Sequence, residues 1–147
     1  MSFRNRRAFT LIELLVVIAI IATLASVVGP AVFGNVSDAR ISAARSQLQI
    51  FALALEAYRL DNDQFPSSEQ GLASLRGMPL AGDRPRNWRG PYLRQPVPDD
   101  PWGRPYLYIA PGRINPDSYD LYSLGRDGRS GGTGEDADVT SWNGSVR

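Results

Sequence analysis

The feature that most constrains this chain is a nearly unbroken apolar run from Phe9 to Phe33, preceded by a short basic stretch. An α-helix rises about 1.5 Å per residue, so a helical run of this length exceeds the roughly 30 Å hydrocarbon core of a bilayer. It is also longer than the apolar part of a cleaved secretory signal, which is about 7 to 15 residues. We therefore predict a retained transmembrane helix over residues 9–33, although a generic signal anchor would look the same in apolarity alone.

The orientation of this helix follows from the distribution of arginine. Three arginines lie within residues 1–8, and no comparable cluster follows Phe33. Basic residues are retained on the cytoplasmic side of a membrane. We therefore place residues 1–8 in the cytoplasm and predict that residues 34–147 form a single periplasmic domain.

Composition excludes much of enzyme chemistry. The 147-residue chain has no Cys and no His, so it lacks the commonest general base, disulfides and thiolate metal sites. No nucleophile with a base is evident, and we predict no catalytic residues. All 16 basic residues are scattered arginines, and removal of the three in residues 1–8 leaves 13 basic against 15 acidic residues. This balance argues against a nucleic-acid partner.

Glu13 is the one charged residue inside the apolar run. A carboxylate costs on the order of 2.5 to 3.5 kcal/mol at the centre of a membrane, and such residues are usually paired or functional. The simpler alternative is that Glu13 lies at the depth of the lipid headgroups. A second local feature is Gly29-Pro30, because proline lacks the N–H that the helix needs and predicts a kink or local melting there.

The rest of the chain indicates an α+β domain. Apolar residues recur every three or four positions in residues 36–62 and predict an amphipathic helix with one buried face, made by Ile41, Ala44, Leu48, Phe51, Leu55 and Tyr58. Ser67 and Gln70 have capping-box spacing, which predicts a short helix near residues 68–77. Residues 79–105 contain too many prolines for regular structure. Alternation in residues 106–109 and 119–123 predicts two or three short antiparallel strands.

An acidic, glycine-rich segment from Gly125 to Val139 follows the last of these strands. It carries Asp127, Glu135, Asp136 and Asp138, and it has too little apolar surface to order itself. Clustered carboxylates and accessible carbonyls suit Ca²⁺, which takes 6 to 8 oxygen ligands. The spacing is not that of an EF-hand, so chemistry alone leaves a solvated acidic loop as the alternative.

Two sets of residues carry a resemblance to a known family. The N-terminal stretch Arg-Ala-Phe-Thr-Leu-Ile-Glu, which ends at Glu13, resembles the class III signal of type IV pilins and pseudopilins. Five ordered motifs resemble those of major pseudopilins of type II secretion systems: Tyr58-x-x-Asp61-Asn62-x-x-Phe65-Pro66, Glu69-Gln70-Gly71-Leu72, Asp100-Pro101-Trp102-Gly103-Arg104-Pro105-Tyr106, Ser123-Leu124-Gly125-Arg126-Asp127-Gly128 and Trp142-Asn143. The resemblance implies a type IV pilin-like fold, in which a long N-terminal helix packs on a short helix and a small antiparallel sheet with a C-terminal metal loop.

For the N-terminal residues, the resemblance implies processing and assembly roles. A prepilin peptidase would cut between Ala8 and Phe9, and the new N-terminus at Phe9 would be methylated; Ala8 stands where the family has Gly. Glu13 would neutralise the Phe9 amine of an adjacent subunit, so that two costly isolated charges become a pair. Pro30 would lie in the stretch of helix that is locally unwound in family filaments.

For the acidic loop, the resemblance implies a structural Ca²⁺. Asp127 and Asp138 match the acidic positions of the family best, and Asp136 is the weaker match because Ala137 separates it from Asp138. The main-chain oxygens of Leu124 and Arg129 would complete the ligands.

The function implied is structural. Subunits in the inner membrane would polymerise into a helical periplasmic filament that drives export of folded proteins across the outer membrane. The partners implied are other copies of the chain, minor pseudopilins, a prepilin peptidase, an inner-membrane assembly platform and an outer-membrane secretin. The alternatives are a surface type IV or competence pilin, which the absence of a C-terminal Cys pair and of a basic patch disfavours, and a membrane-anchored periplasmic enzyme.

Overall fold

The structure, a computed structural model, describes residues 9–142, except for the side chains of residues 27–35. Its elements are the helix α1 (Leu11–Asn62), a 3-10 helix (Leu72–Leu75), and the strands β1 (Leu107–Ile109), β2 (Asp120–Ser123) and β3 (Val139–Thr140), with a second 3-10 helix (Gly134–Asp136) between β2 and β3. The chain divides into two compact units, and the boundary falls after Val36.

The first unit contains the N-terminal part of α1. Within the part of this helix with described side chains, the large apolar residues from Leu11 to Leu24 are exposed. The hydroxyl of Thr23 donates to the carbonyls of Ala19 and Ile20 at 3.0 and 2.8 Å, and that of Ser26 donates to the Thr23 carbonyl at 2.8 Å. The hydroxyls of Thr23 and Ser26 are thus satisfied by the backbone of the helix itself.

Two predictions concern this unit: a kink or local melting at Gly29-Pro30, and a membrane-spanning helix over residues 9–33. Helical backbone continues without interruption through Gly29 and Pro30, so the helix is not melted there, and a kink stays a prediction. Among the residues that the structure describes, no helix meets the length and apolarity needed to cross a membrane.

The second unit is built on the C-terminal part of α1, as the apolar periodicity predicts. Ala44, Leu48, Phe51, Leu55 and Tyr58 are all buried, and Ile41 is half-buried against them. Phe51 and Tyr106 meet edge to face, with ring centroids 5.2 Å apart. Ala54 of α1 also belongs to the core. The remaining core residues come from the loops, the first 3-10 helix and the sheet: Leu72, Leu75, Leu93, Tyr119, Leu121 and Val139. Burial of this apolar surface is the main stabilisation of the domain.

The segment between α1 and the sheet is largely irregular. Ser67 and Gln70 form the predicted capping-box bonds, at 3.0 and 3.2 Å. A helix does not continue from them because Gly71 takes φ +59°, and the predicted helix near residues 68–77 is reduced to a turn and one 3-10 turn. The proline-rich residues 79–105 contain no helix or strand, as predicted. The N–H groups of Tyr92 and Leu93 both donate to the carbonyl of Leu75, at 2.8 and 3.0 Å.

The sheet has three antiparallel strands in the order β1-β2-β3. Leu107 lies opposite Tyr122, and Ile109 lies opposite Asp120. On the other side of β2, Ser123 lies opposite Val139. The predicted α+β architecture with a small antiparallel sheet is confirmed. β3 follows directly after the acidic loop and brings the chain back beside β2.

Candidate functional site

The acidic segment is a long hairpin connection, residues 124–138, between β2 and β3. Because Ser123 is paired with Val139, the adjacent Leu124 and Asp138 are held together at the base of the loop. Both residues line a surface pocket of about 730 Å³. Of the five predicted ligands, this pocket brings together these two, whereas Asp127, Arg129 and Asp136 are not in its lining.

The loop is folded by close contacts between its two halves. The N–H of Arg126 donates to the carbonyl of Glu135 at 2.8 Å, and the N–H of Asp138 donates to the carbonyl of Gly131 at 3.2 Å. Gly125 has φ +65°, and a Cβ at this position would lie 2.6 Å from the Glu135 oxygen. Only glycine fits a position with this backbone angle and this contact.

The carboxylates of Asp127 and Asp138 are turned toward the loop backbone. Asp127 Oδ1 accepts the N–H of Arg129 at 2.9 Å. Asp138 Oδ2 accepts the N–H of Gly131 at 3.0 Å and the hydroxyl of Ser130 at 3.4 Å. The other oxygen of Asp138, Oδ1, is buried and has no hydrogen-bond partner. Since an unpaired buried carboxylate oxygen is costly, this atom is the one in the loop best placed to bind a cation or a water molecule.

Asp136 and Glu135 already have cationic partners in the chain. The guanidinium of Arg126 binds Asp136 through two bonds of 2.9 Å, and its third nitrogen lies 3.3 Å from Glu135. The hydrogen bond from Arg126, more than the charge, lowers the pKa of Asp136. Arg40 of α1 lies 3.5 Å from the other oxygen of Glu135. Asp136 would have to leave Arg126 to bind a metal ion.

A second arginine holds the start of the loop. Arg104 Nη1 donates to the carbonyls of Gly125 and Arg126 at 2.8 and 2.5 Å. The buried carboxylate of Asp100 fixes the backbone of Arg104 by accepting its N–H at 2.8 Å, and it also accepts the Ser123 hydroxyl at 2.5 Å. These loop-organising roles were not predicted; the one sequence signal was that Asp100 and Arg104 lie in the same short motif.

Metal binding by side chains alone is not supported. Across residues 9–142, no three His, Cys, Asp or Glu side chains come together to hold a metal ion. A cation in the loop would therefore depend on main-chain oxygens, for which Leu124 and Arg129 are the predicted ligands. The predicted acids Asp127 and Asp138 would contribute one or two carboxylates to such a site, and the unpaired Oδ1 of Asp138 fits this role.

The predicted assembly residues lie at the start of α1. Phe9 and Glu13 are both exposed. The hydroxyl of Thr10 accepts the N–H of Glu13 at 3.3 Å, so Thr10 caps the helix that begins at Leu11. The Thr-x-x-Glu spacing was a capping signal that the sequence analysis did not use. Ala8 and the leader lie outside the described residues, as does the side chain of Pro30.

Comparisons with known proteins cover both parts of the chain. Residues 31–142 match the family described as type II secretion system (T2SS), protein G. Residues 3–29 match the prokaryotic N-terminal methylation motif. Among curated relatives, a type II secretion system core protein G of Pseudomonas aeruginosa is 42% identical, with 97% of this chain and 99% of the relative covered. The protein of the same name from Aeromonas hydrophila is 40% identical, with coverage of 97% and 96%.

A solved structure is similar in both fold and sequence. The major pseudopilin from the type 2 secretion system of enterohaemorrhagic Escherichia coli superimposes with a TM-score of 0.64 and is 35% identical. The match covers 76% of this chain and 93% of that one. The resemblance to major pseudopilins that the sequence motifs indicate is confirmed. The chain belongs to the type II secretion system protein G family.

Proposed function

We propose that this chain is a structural subunit of the type II secretion pseudopilus, which polymerises through its N-terminal helix into a periplasmic filament that drives export of folded proteins. The relatives are named for their place in a secretion system rather than for a reaction, and this supports a structural role over an enzymatic one. The same names favour secretion over a surface pilus or competence pilin. The partners are other copies of the chain, minor pseudopilins, the prepilin peptidase, the inner-membrane assembly platform and the secretin.

The observation that carries this proposal is the exposure of the first helix. Its apolar side chains from Leu11 to Leu24 remain largely exposed, Leu11 at 82% and Leu24 at 61%. A contiguous apolar surface of this size is stable only when something covers it. Lipid of the inner membrane covers it before assembly, and the helices of neighbouring subunits cover it afterwards. The domain after residue 34 then lies in the periplasm.

Glu13 gives the polymer its register. After cleavage between Ala8 and Phe9, the methylated amine of Phe9 lies next to the Thr10 cap at the start of α1. The exposed carboxylate of Glu13 is one helical turn away and is available to the amine of an adjacent copy. Pairing the two charges removes the cost of holding each of them alone in an apolar environment.

Mass spectrometry of the membrane form tests the processing step, and we expect a chain that begins at methylated Phe9.

Glu13→Ala tests the charge pairing. This variant should leave membrane insertion intact and reduce filament assembly at least tenfold. Ser26→Ala is the matched control, because it removes another polar group from the same run and should assemble normally. Normal filaments from the Glu13→Ala chain would refute the pairing.

We further propose that Ca²⁺ orders the loop of residues 124–138. The buried, unpartnered Oδ1 of Asp138 supports a cation there, and Asp127 with the carbonyls of Leu124 and Arg129 are the other candidate ligands. When bound, the ion would supply positive charge to the carboxylates of Asp127 and Asp138. Asp136 is the least suited predicted ligand because Arg126 already neutralises it.

Thermal unfolding with added calcium tests this proposal. At a calcium concentration 100 times Kd, binding stabilises the folded state by about 2.7 kcal/mol. Asp138→Asn and Asp127→Ala should each abolish the increase in midpoint, whereas Asp117→Asn, which alters an exposed acid outside the loop, should retain it. An unchanged midpoint of the unmodified chain in millimolar calcium would rule out the site.

A further inference from the structure

The four acids of the C-terminal loop divide into two pairs that differ in their partners. Glu135 and Asp136 both form ion pairs with arginine, whereas Asp127 and Asp138 form none within residues 9–142. Asp138 lines the pocket at the base of the loop, and neither Glu135 nor Asp136 does. We call Glu135 and Asp136 the paired acids. Half of the carboxylates in this loop therefore already have a cation that the chain itself supplies.

The backbone places Arg126 beside the paired acids. Its N–H donates to the carbonyl of Glu135 at 2.8 Å, and its own carbonyl accepts from Arg104 Nη1. From this position Nε and Nη2 of Arg126 each donate to a different oxygen of Asp136 at 2.9 Å, and Nη1 lies 3.3 Å from Glu135. A two-bond contact between a guanidinium and a carboxylate fixes geometry as well as charge. Because both sides of the Arg126 backbone are held, the guanidinium is positioned for this contact in advance.

Glu135 is the more enclosed of the paired acids, and it has two arginine partners. Its side chain is 12% exposed, and Arg40 of α1 lies 3.5 Å from the oxygen that Arg126 does not contact. An enclosed carboxylate needs a counter-charge. The two arginines therefore balance the two acids, and together they link the loop to α1.

We propose that Arg126 is a resident cation of the loop, which keeps Asp136 out of the set of calcium ligands and weakens calcium binding. Removal of the guanidinium frees a carboxylate two residues before Asp138, and calcium affinity depends on the number of charged ligands. Without calcium, the same guanidinium neutralises the paired acids and stabilises this part of the loop. This inference rests on the calcium site proposed above and assigns to that site a residue that sets its affinity.

Calorimetric titration of the full-length chain in detergent, with Ca²⁺ as the only added ligand, tests this role. Arg126→Gln should bind Ca²⁺ at least about tenfold more tightly than the unmodified chain, and its thermal midpoint without calcium should be lower. Arg113→Gln is the matched control. Arg113 lines the same pocket as Asp138 but forms no ion pair with the described residues. Its loss should change calcium affinity by less than about twofold, because the charge is exposed and screened by salt.

Asp136→Asn separates a freed ligand from a general effect of charge. In the unmodified chain this substitution should change calcium affinity by less than about twofold, because Arg126 already withholds Asp136 from the ion. In the Arg126→Gln background it should remove most of the gain in affinity. A gain that survives in the double variant would mean that Arg126 acts only through its charge on the other acids, and it would overturn the proposal.

Arg126→Lys is the second variant, which keeps the test decisive if Arg126→Gln does not fold. Lysine retains the charge but lacks the two-bond contact, so this chain should bind Ca²⁺ at least about twofold more tightly than the unmodified one. Equal or weaker binding by the folded variants would overturn the role of Arg126 and leave the proposed calcium site standing. If only Arg126→Gln binds Ca²⁺, the role of Arg126 is supported and the site of the unmodified chain is refuted. If no chain binds Ca²⁺, both proposals are refuted.

Discussion

Asp120 offers a sharp test of how the domain is held together. It begins β2 and is only 2% exposed. Its Oδ2 accepts the N–H groups of Arg113 and Ile114 at 2.6 and 2.8 Å, and its Oδ1 accepts the N–H and side-chain amide of Asn115 at 3.0 and 2.9 Å. Desolvation raises the pKa of Asp120, but these hydrogen bonds together outweigh it, and the net effect is a lowered pKa.

The cost of Asp120→Asn follows from this geometry. The new side chain has the same shape, and its oxygen can still accept from Asn115, but its NH₂ group faces the N–H groups of Arg113 and Ile114. Hydrogen bonds to a charged group contribute about 1.5–3 kcal/mol each. Loss of these two hydrogen bonds therefore destabilises the folded state by roughly 3–6 kcal/mol. We expect a value near the lower end because the turn before β2 can relax. For a domain of this size, a loss of about 3 kcal/mol lowers the midpoint by roughly 12–24 °C.

Tryptophan fluorescence of the full chain in detergent measures this loss, since all three tryptophans lie outside the first helix. A carboxylate whose pKa is lowered by folding stabilises the fold above its unfolded pKa of about 3.9, and this stabilisation disappears as the pH falls through the folded pKa. The difference in free energy of unfolding between the unmodified chain and Asp120→Asn should therefore be constant from about pH 5 to 8. It should shrink below about pH 4. Asp117→Asn is the control, because Asp117 lies in the turn just before β2 and is exposed. A difference under about 1 kcal/mol at pH 7, or one that grows in acid, would refute the reasoning.

Three further predictions concern the core and the acidic loop. Phe51→Ala should cost about 3–5 kcal/mol in urea unfolding because Phe51 is fully buried, whereas Leu53→Ala should change stability by less than about 0.5 kcal/mol. Gly125→Ala should lower the thermal midpoint, since its Cβ would overlap the Glu135 oxygen; Gly77→Ala has open space and should not. Arg104→Met removes the donor to two loop carbonyls, and amide exchange in the loop should accelerate on the order of tenfold. Unchanged exchange would mean that Arg104 does not hold the loop.

Periodic features were predictable from the sequence because their pattern directly reflects a buried face. The core positions of α1 are an example, since a spacing of three and four leaves little choice about which side is covered. The strands were found within a residue by alternation around Tyr108 and Leu121. The family resemblance was equally accessible, because its motifs are spread over nearly the whole chain.

Features set by single backbone angles or distant partners were not predictable. Ser67 and Gln70 make a capping box, but the left-handed angle of Gly71 stops the helix that this motif normally begins. The two residues of β3 are too few to show alternation. The buried positions of Asp100 and Asp120 have no periodic signal in the sequence. Asp100 binds the Ser123 hydroxyl 23 residues along the chain, and Asp120 binds the N–H groups of the turn that precedes β2. Similarly, the partners of Arg104 lie far along the chain.

The pairing of Ser123 with Val139 has a consequence for how the C-terminal loop can vary. The hydrogen bonds between β2 and β3 fix the residues at which the loop leaves and re-enters the sheet, and they do so independently of the loop sequence. Insertions or deletions between these anchor points would change the reach of the loop without shifting the register of the strands. An epitope tag inserted there would therefore leave the pairing of the strands unchanged, and a protease that cuts there would leave β2 and β3 joined through their hydrogen bonds.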